Sequence, residues 1–581
     1  MADESEKQPA TSIIPNKMVY ILALTFIVIG IVNSTPVIPG WDEMWQKITG
    51  IEKLKTRAFA TEWFYPFIFF IMMLLVALNH SIWRAWQGRS YAWLGAFMDA
   101  ALIISAAAIS LTYLIEIDSV CLIDSLNGER ARIMAETLKS EIALAEMMGL
   151  PVPDTVEDPK CVSTTGVWLV LIMGLSIVVF LGYNVKVWGL PLVLVAIGVA
   201  AYTIGTVFVW YFHGPDDINK YFVTKMGGEP RRFIDGVPNV HDALVNTASG
   251  ILGRFMNIIM NMVFPYIILG ALFGKSAGGK TLIKLAFRWT RKLRGGPAHA
   301  AIISSAMFGT ISGGPVVNVL STGVLTIPMM VKRGFSKVFA GGMEAAASSG
   351  GSIMPPVMGV AAFVLAAMTG IPYRDVIIAA TLPAIAYFFC LFLSASFQAR
   401  KQGIEAFGDL TDDMHISGKD ILHLCQICLP ILLILIFLLT PKDLVGCGTL
   451  GWIFGAEVLA TDGGCKVLSL PWVLQVFQNA AGDAGATGWW AALFVAVLLF
   501  LDKDFRTSPG KLGDALAEAG IIVSTLYLML LAVTVIDVCL NFTGVAKFVA
   551  IDVLQFLIAL DFDGGGSAIF VTISVKGTSA T

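Results

Sequence analysis

Between Gly309 and Pro315 the chain reads Gly-Thr-Ile-Ser-Gly-Gly-Pro, and oxygen-bearing side chains gather around it. Thr310 and Ser312 lie inside this stretch; Asn318, Ser321, Thr322 and Thr326 follow within a few helical turns. None carries a charge. Neutral oxygens beside unwound backbone suit a small hard cation such as Na⁺, and the helix N-terminus that a break creates suits an anionic group. A second cluster follows in Met343-Glu-Ala-Ala-Ala-Ser-Ser-Gly-Gly-Ser-Ile-Met-Pro-Pro356, where Gly350, Gly351, Pro355 and Pro356 break a helix and Ser348, Ser349 and Ser352 add oxygens. The same Ser and Thr residues could instead cap helix ends or bond between helices. Their concentration at the breaks favours a binding site.

Other chemistries find less support. The six His show no HExxH spacing, and the eight Cys contain one lone CxxC, Cys425-Gln-Ile-Cys428, in an apolar stretch that reads as packing. With no nucleophile beside a base and no metal cluster, the chain does not read as an enzyme. Glu344 either pairs with a cation or caps the broken helix. Asp99 and Asp537 lie in apolar runs; Asp99 reads as an interhelix partner and Asp537 as solvated near a helix end. Arg254 sits where a long side chain snorkels, and His299 reads as interfacial.

These residues need a membrane to hold them. Of 581 residues 56% are hydrophobic and only 14% charged, which excludes disordered, fibrous and soluble globular classes. The net charge of −3 implies no nucleic-acid partner. The fold class expected is an all-α polytopic membrane protein. Apolar runs begin at Met18–Asn33, which reads as a retained anchor, and continue at about 63–80, 91–115, 166–184, 187–212 and 251–274, each near the ~20 residues that cross a bilayer. Further runs lie at 377–397, 427–440, 488–501 and 519–540. Arg84, Arg89, Lys186 and the basic stretch 275–294 place their loops, and the N-terminus, in the cytoplasm. The loops 36–60, 117–165 and 213–245 then face outward, against the vote of Lys47, Lys53, Lys55 and Arg57. Cys121 and Cys161, and Cys447 and Cys465, fall in outward loops, where two disulfides or four free thiols are equally consistent. Trp63, Tyr91, Trp93, Trp210 and Tyr211 fit an aromatic belt. The polar stretch 402–420 reads as an interfacial arm or connecting helix.

Residues Ala300 to Val331 carry no Asp, Glu, Lys or Arg, yet basic residues flank both ends. Both flanks being cytoplasmic, the segment enters and leaves by one side. Each arm of about 14 residues reaches ~21 Å into a ~30 Å core. The expectation is a re-entrant hairpin with its tip at Ser312–Pro315, beside the discontinuous helix at 343–369.

Residues 295–356 resemble the large membrane component of the tripartite ATP-independent periplasmic (TRAP) transporters. The likeness rests on Gly295-Gly-Pro-Ala-His-Ala-Ala-Ile, on Ser305-Ala-Met-Phe-Gly-Thr-Ile-Ser-Gly, on Asn318-Val-Leu-Ser-Thr-Gly-Val-Leu-Thr-Ile-Pro328 and, most specifically, on Glu344-Ala-Ala-Ala-Ser-Ser-Gly-Gly-Ser-Ile-Met-Pro-Pro-Val-Met-Gly359. Weaker likeness continues over 360–403 and 511–560. Residues 1–245 look like the small membrane component fused to the large one (246–581), the form associated with a TAXI-type binding protein.

The resemblance implies an elevator-type secondary transporter permease in a bacterial inner membrane. A soluble periplasmic binding protein would deliver a small organic anion, and Na⁺ would drive uptake. Substrate contacts would fall to Ser312, Gly313, Gly314, Thr322, Ser349, Gly350 and Gly351, and Na⁺ contacts to Ser312, Asn318, Thr322, Gly323 and Ser348. The alternatives are a different ion-coupled symporter without a binding protein, or a transport-incompetent fragment. The last arises because the family's second hairpin, expected after a helix like 520–541, is not visible before Thr581.

Overall fold

The computed structural model describes residues 17–50, 57–59, 61–116, 138–139, 142, 167–213, 251–276, 278–406, 416–442, 445, 457–461, 464–508 and 510–559. Cys121, Cys161 and Cys447, most of the loops at 117–165 and 213–245, residues 407–415, and the final stretch from 560 lie outside them, as do the side chains of Trp210 and Tyr211. The described residues are helical apart from one short ribbon. Seven of the described helices are long and apolar enough to cross a membrane, and a bent pair adds an eighth span if counted as one.

The chain divides into two compact units. The first comprises residues 1–26, 58–257 and 521–575. It holds most of α1 (Lys17–Ser34), α3 (Thr61–Asn79), α4 (Ile82–Ala85), α5 (Ala92–Glu116), α6 (Val167–Val187) and α7 (Leu190–His213). The short amphipathic helix α2 (Trp41–Thr49), inside the predicted outward loop 36–60, belongs to the second unit.

Asp99 organises one end of the first unit. A Cβ on Gly95 would sit 2.8 Å from the Trp83 backbone nitrogen, so glycine lets the α4 backbone rest directly on α5. Asp99, one turn further on, then accepts from Ile82 N (2.8 Å), Trp83 N (3.2 Å) and Ser81 Oγ (2.6 Å), capping α4 from a neighbouring helix. Tyr183 Oη on α6 donates to the same carboxylate at 2.9 Å. The intramembrane carboxylate is thus an interhelix tie. Elsewhere Asn184 Nδ2 donates to Leu528 O and Tyr527 Oη to Ile251 O, satisfying buried polar groups across helices. Trp63, Tyr91 and Trp93 are exposed near helix ends, as a belt requires. Asp537 accepts from Asn541 Nδ2 at 3.1 Å near the end of the long helix α19 (Gly510–Thr543).

The second unit comprises residues 27–57, 258–520 and 576–581. Its first long helix, α8 (Arg254–Gly274), contains a π-helical stretch at Ile258–Val263. The basic stretch 275–294, predicted as a cytoplasmic loop, is largely an amphipathic helix, α9 (Gly278–Thr290). α10 (Gly296–Ser312) opens at Gly295 in the left-handed region, with Pro297 in its first turn, and stops at left-handed Gly313. α11 occupies residues 315–332 with a π-helical segment at Val319–Gly323. α12 (Lys337–Gly350) starts at a Ser336 cap and passes through a single 3₁₀ turn, Gly351–Ile353. α13 (Val360–Thr369), α14 (Tyr373–Lys401) and α15 (Gly418–Leu439) follow.

Within the later loop that holds Cys447 and Cys465 there is a two-stranded ribbon, β1 (Glu457–Thr461) with β2 (Gly464–Ser469). Cys465 lies in β2. α16 (Trp472–Ala480) and α17 (Ala484–Phe500) meet at 118°, and α18 (Lys503–Arg506), α19 and α20 (Val545–Ala559) complete the described chain. Cys390, Cys425, Cys428 and Cys539 are free thiols.

α15 begins with a reciprocal cap. Ser417 Oγ accepts from Asp420 N, while the Asp420 carboxylate accepts from Ser417 N and from Lys284 Nζ on α9. Ser417→Ala is expected to cost about 1 kcal/mol. Hydrogen exchange would show it as about fivefold faster opening of the Asp420 amide; an unchanged rate would assign the stability of this end to Lys284 alone.

Candidate functional site

α10 and α11 form a hairpin. Its base is closed, because a Cβ on Gly295 would lie 3.1 Å from the Phe335 ring, just beyond α11. Its arms are bonded to each other: Asn318 Nδ2 on α11 donates to Ser305 O on α10 at 2.9 Å. The tip is the Gly313–Gly314 turn, as the run of glycine before Pro315 requires.

α12 lies against this hairpin through a second glycine contact. A Cβ on Gly309 would fall 2.4 Å from Gly351 Cα, and one on Gly351 would fall 2.7 Å from Asn318 Nδ2. Two backbones therefore meet with no side chain between them. The meeting joins the two helix breaks. Val357 N donates to Thr310 O at 3.3 Å, and a Cβ on Gly313 would lie 2.5 Å from Met358 O. At one place, then, α10 and α12 end while α11 and α13 begin. Carbonyl-rich C-termini and N–H-rich N-termini are brought together, one pair suited to a cation and the other to an anion.

Beneath the breaks sits Glu344, fully buried on α12. Four hydroxyls surround its carboxylate. Oε1 accepts from Thr322 Oγ1 (2.5 Å), Ser305 Oγ (3.1 Å) and Ser348 Oγ (3.2 Å); Oε2 accepts from Thr326 Oγ1 (2.6 Å). Gly323 makes room for the side chain, since a Cβ there would approach Glu344 Cγ to 3.1 Å. Burial of a carboxylate is tolerable only with such a shell. Among the described residues no Lys, Arg or His stands at ion-pairing distance from it.

The structure thus gathers Asn318, Thr322, Gly323, Ser348 and Gly351 in one buried cluster and places Gly313 and Gly314 at the tip above it. It separates two others. Ser349 is exposed on the far face of α12, and Gly350 packs on the Tyr387 ring of α14 instead of facing the hairpin. Ser312 ends α10; its side chain is outside the described set. Thr310 Oγ1 bonds back to Met307 O within its own helix. Ser305, absent from the expected site, is a full member of the cluster. Its only sequence sign was a small polar residue four before Gly309 on the hairpin's first arm. Glu344 and Ser348, four apart on one helix, could have been paired from spacing alone.

His299, expected at the interface, is buried at the hairpin base. Its Nε2 pairs with Ser396 Oγ on α14 at 2.9 Å, and its ring packs on Phe392. It holds the first arm to α14. Among the described residues no group of three His, Cys, Asp or Glu could hold a metal ion.

Comparison with known proteins places these elements in a family. Residues 255–560 match the family described as Tripartite ATP-independent periplasmic transporter, DctM component. The C4-dicarboxylate TRAP transporter large permease protein DctM of Vibrio cholerae is 27% identical over 159 residues, 27% of this chain and 35% of that protein. The isethionate TRAP transporter permease protein DctMQ of Oleidesulfovibrio alaskensis is 39% identical over 97 residues, 16% of this chain and 15% of its own length. The DctM protein of Rhodobacter capsulatus is 31% identical over 96 residues, 16% of this chain and 22% of its own. The chain therefore spans well under half the length of these relatives. The family match covers more than half of the chain and contains both helix breaks and the Glu344 cluster, and the chain belongs to the DctM component family of the TRAP transporters.

Proposed function

We propose that this chain is the permease of a Na⁺-coupled uptake system for a small organic anion. Residues 1–245 would supply the small membrane component and 246–581 the large one, in a bacterial inner membrane with the N-terminus cytoplasmic. A soluble periplasmic binding protein, of the TAXI type by the fused arrangement, would deliver the substrate. The hairpin would be re-entrant and would move with the broken helix as the carrying body of an elevator.

The observation that carries this reading is the meeting of the two helix breaks, Gly313–Gly314 against residues 351–359. Unwound backbone of this kind is tolerated at membrane depth only inside protein or around a watery cavity, and transporters use it for ion and substrate together. The anion would meet Gly313, Gly314 and the N-termini of α11 and α13; Gly351, Ser312 and Thr322 complete its expected contacts. Exposed Ser349 and ring-packed Gly350 contribute at most through their backbone. Na⁺ would meet Asn318, Thr322, Gly323 and Ser348, with Ser312 at the tip. The relatives' names carry a dicarboxylate and a sulfonate, both small anions.

Reconstituted uptake tests it. Transport should need both an inward Na⁺ gradient and the added binding protein; uptake without the binding protein would favour an independent symporter, and no dependence on Na⁺ would remove the ion assignment. Asn318→Ala loses the bond to Ser305 O and an oxygen of the ion site. Na⁺-dependent uptake is expected to fall about tenfold or more, a loss of ~1.4 kcal/mol. Unchanged uptake with unchanged Na⁺ dependence would take Asn318 out of the site.

A further inference from the structure

The Glu344 cluster contains a carboxylate side chain that its neighbours hydrogen-bond, with no cationic side chain beside it among the described residues. The ion pairs resolved among the described residues of this unit, including Lys275 with Glu518, Lys284 with Asp420 and His423 with Asp502, all lie elsewhere. Next to the carboxylate is a second group whose bonding is incomplete. Asn318, fully buried, gives its amide N–H to Ser305 O, while its Oδ1 faces Thr322 Oγ1 at 3.5 Å. Thr322 has one hydroxyl hydrogen, and Glu344 Oε1 stands at 2.5 Å. That one hydrogen is shared among Glu344 Oε1, Asn318 O at 2.8 Å and Asn318 Oδ1, and the last, the most distant of the three, is the weakest bonded. A buried carboxylate and a buried, weakly bonded amide oxygen thus flank the same hydroxyl.

We propose that Glu344 is the counter-charge of a bound monovalent cation, held between its carboxylate, Asn318 Oδ1 and the hydroxyl oxygens of Thr322 and Ser348. The inference rests on the Na⁺-coupled reading above and deepens it by naming the charged residue of the ion site. Hydroxyls suit the task because they rotate about the C–O bond without moving a heavy atom. Without a cation their hydrogens point at the carboxylate; with one, their lone pairs turn to the ion. A carboxylate paired with a cation is better placed in a low-dielectric interior than one left alone. A single carboxylate among neutral oxygens matches one positive charge. Divalent sites gather more carboxylates, and none are gathered here among the described residues.

The test is thermal melting of the purified full-length chain in detergent, titrated with NaCl against choline chloride at constant ionic strength. For the unmodified protein, Na⁺ should raise the melting temperature with a saturating dependence. Glu344→Gln should raise the half-saturating Na⁺ concentration about tenfold or more. A merely structural role for Glu344 would lower melting equally in both salts and leave the half-saturation where it was; that result overturns the proposal. So does an unmodified protein with no Na⁺-specific shift. If Glu344→Gln cannot be purified, Glu344→Asp keeps the charge but withdraws it by one methylene. It should weaken half-saturation about threefold, and a titration identical to the unmodified protein's overturns the proposal equally. Uptake measured in parallel separates the two readings. Loss of Na⁺ stabilisation in the variant, beside wild-type uptake that ignores Na⁺, supports the cation site and sinks the coupling mechanism.

Discussion

Gly309→Val should leave this protein unable to hold its hairpin against the broken helix. At 2.4 Å from Gly351 Cα, even the first added carbon overlaps backbone that has no rotamer to change. The conformation of Gly309 is ordinary helix, so the penalty is purely one of space. α10 would have to withdraw from α12, opening the Val357–Thr310 and Ser305–Glu344 bonds. Overpacking of a flexible core costs about 1–3 kcal/mol, and a rigid backbone contact belongs at or above the top of that range. The expected result is a melting temperature lowered by many degrees and no uptake. Gly342→Ala is the matched control: it lies on α12 with nothing within 4 Å of the new carbon, and helix propensity alone favours alanine by about 0.5–1 kcal/mol. If Gly309→Val melted and transported as the control does, the close backbone contact would have to be abandoned.

Asp99→Ala should have the largest effect in the first unit. The substitution strips acceptors from two backbone amides, a serine and a tyrosine at once. Bonds to a charged acceptor are worth about 1.5–3 kcal/mol each before water replaces any of them. Since this corner is only half-buried, a net loss of about 3 kcal/mol is expected. Asp99→Asn retains one acceptor oxygen and should fall between. Exchange at Ile82 and Trp83 would locate the damage, because those amides lose their partner directly. Equal stability of the alanine and wild-type proteins would show that solvent caps α4 as well as Asp99 does.

The helix breaks were readable because glycine and proline in an apolar, uncharged stretch permit few alternatives. The hairpin turn at Gly313–Gly314 falls inside the expected tip. The spans were readable for the same reason, being long runs of one character. The Glu344 cluster was not. Its bonds to Ser305, Thr322 and Thr326 bridge 39, 22 and 18 residues, and no periodicity links positions that meet only when three helix segments pack. α9 was hidden in a different way: its basic residues, the strongest evidence for orientation, also disguise an amphipathic helix as a loop. The β1–β2 ribbon did carry a signal. Thr461 pairs with Gly464, leaving a two-residue connection of sequence Asp-Gly between β-branched and aliphatic residues. Its weakness was context, since a few alternating residues in a long loop of mixed composition compete poorly with the spans on either side.

α14 packs on the hairpin, and if the hairpin moves as proposed, the chemistry of α14 would limit how far it travels. Ile378, Leu382, Ile385, Phe389, Leu393 and Phe397 form an exposed apolar stripe, while charged residues appear only at its ends, Arg374 and Asp375 at one and Arg400 and Lys401 at the other. From Asp375 to Arg400 the helix rises ~37 Å, against a hydrocarbon thickness of ~30 Å. Sliding along the membrane normal therefore exchanges one aliphatic contact for another over ~7 Å of slack. Beyond that, a charge enters oil. In that movement the charged ends would act as end-stops, and a longer journey would require the helix to tilt or the bilayer to thin around it.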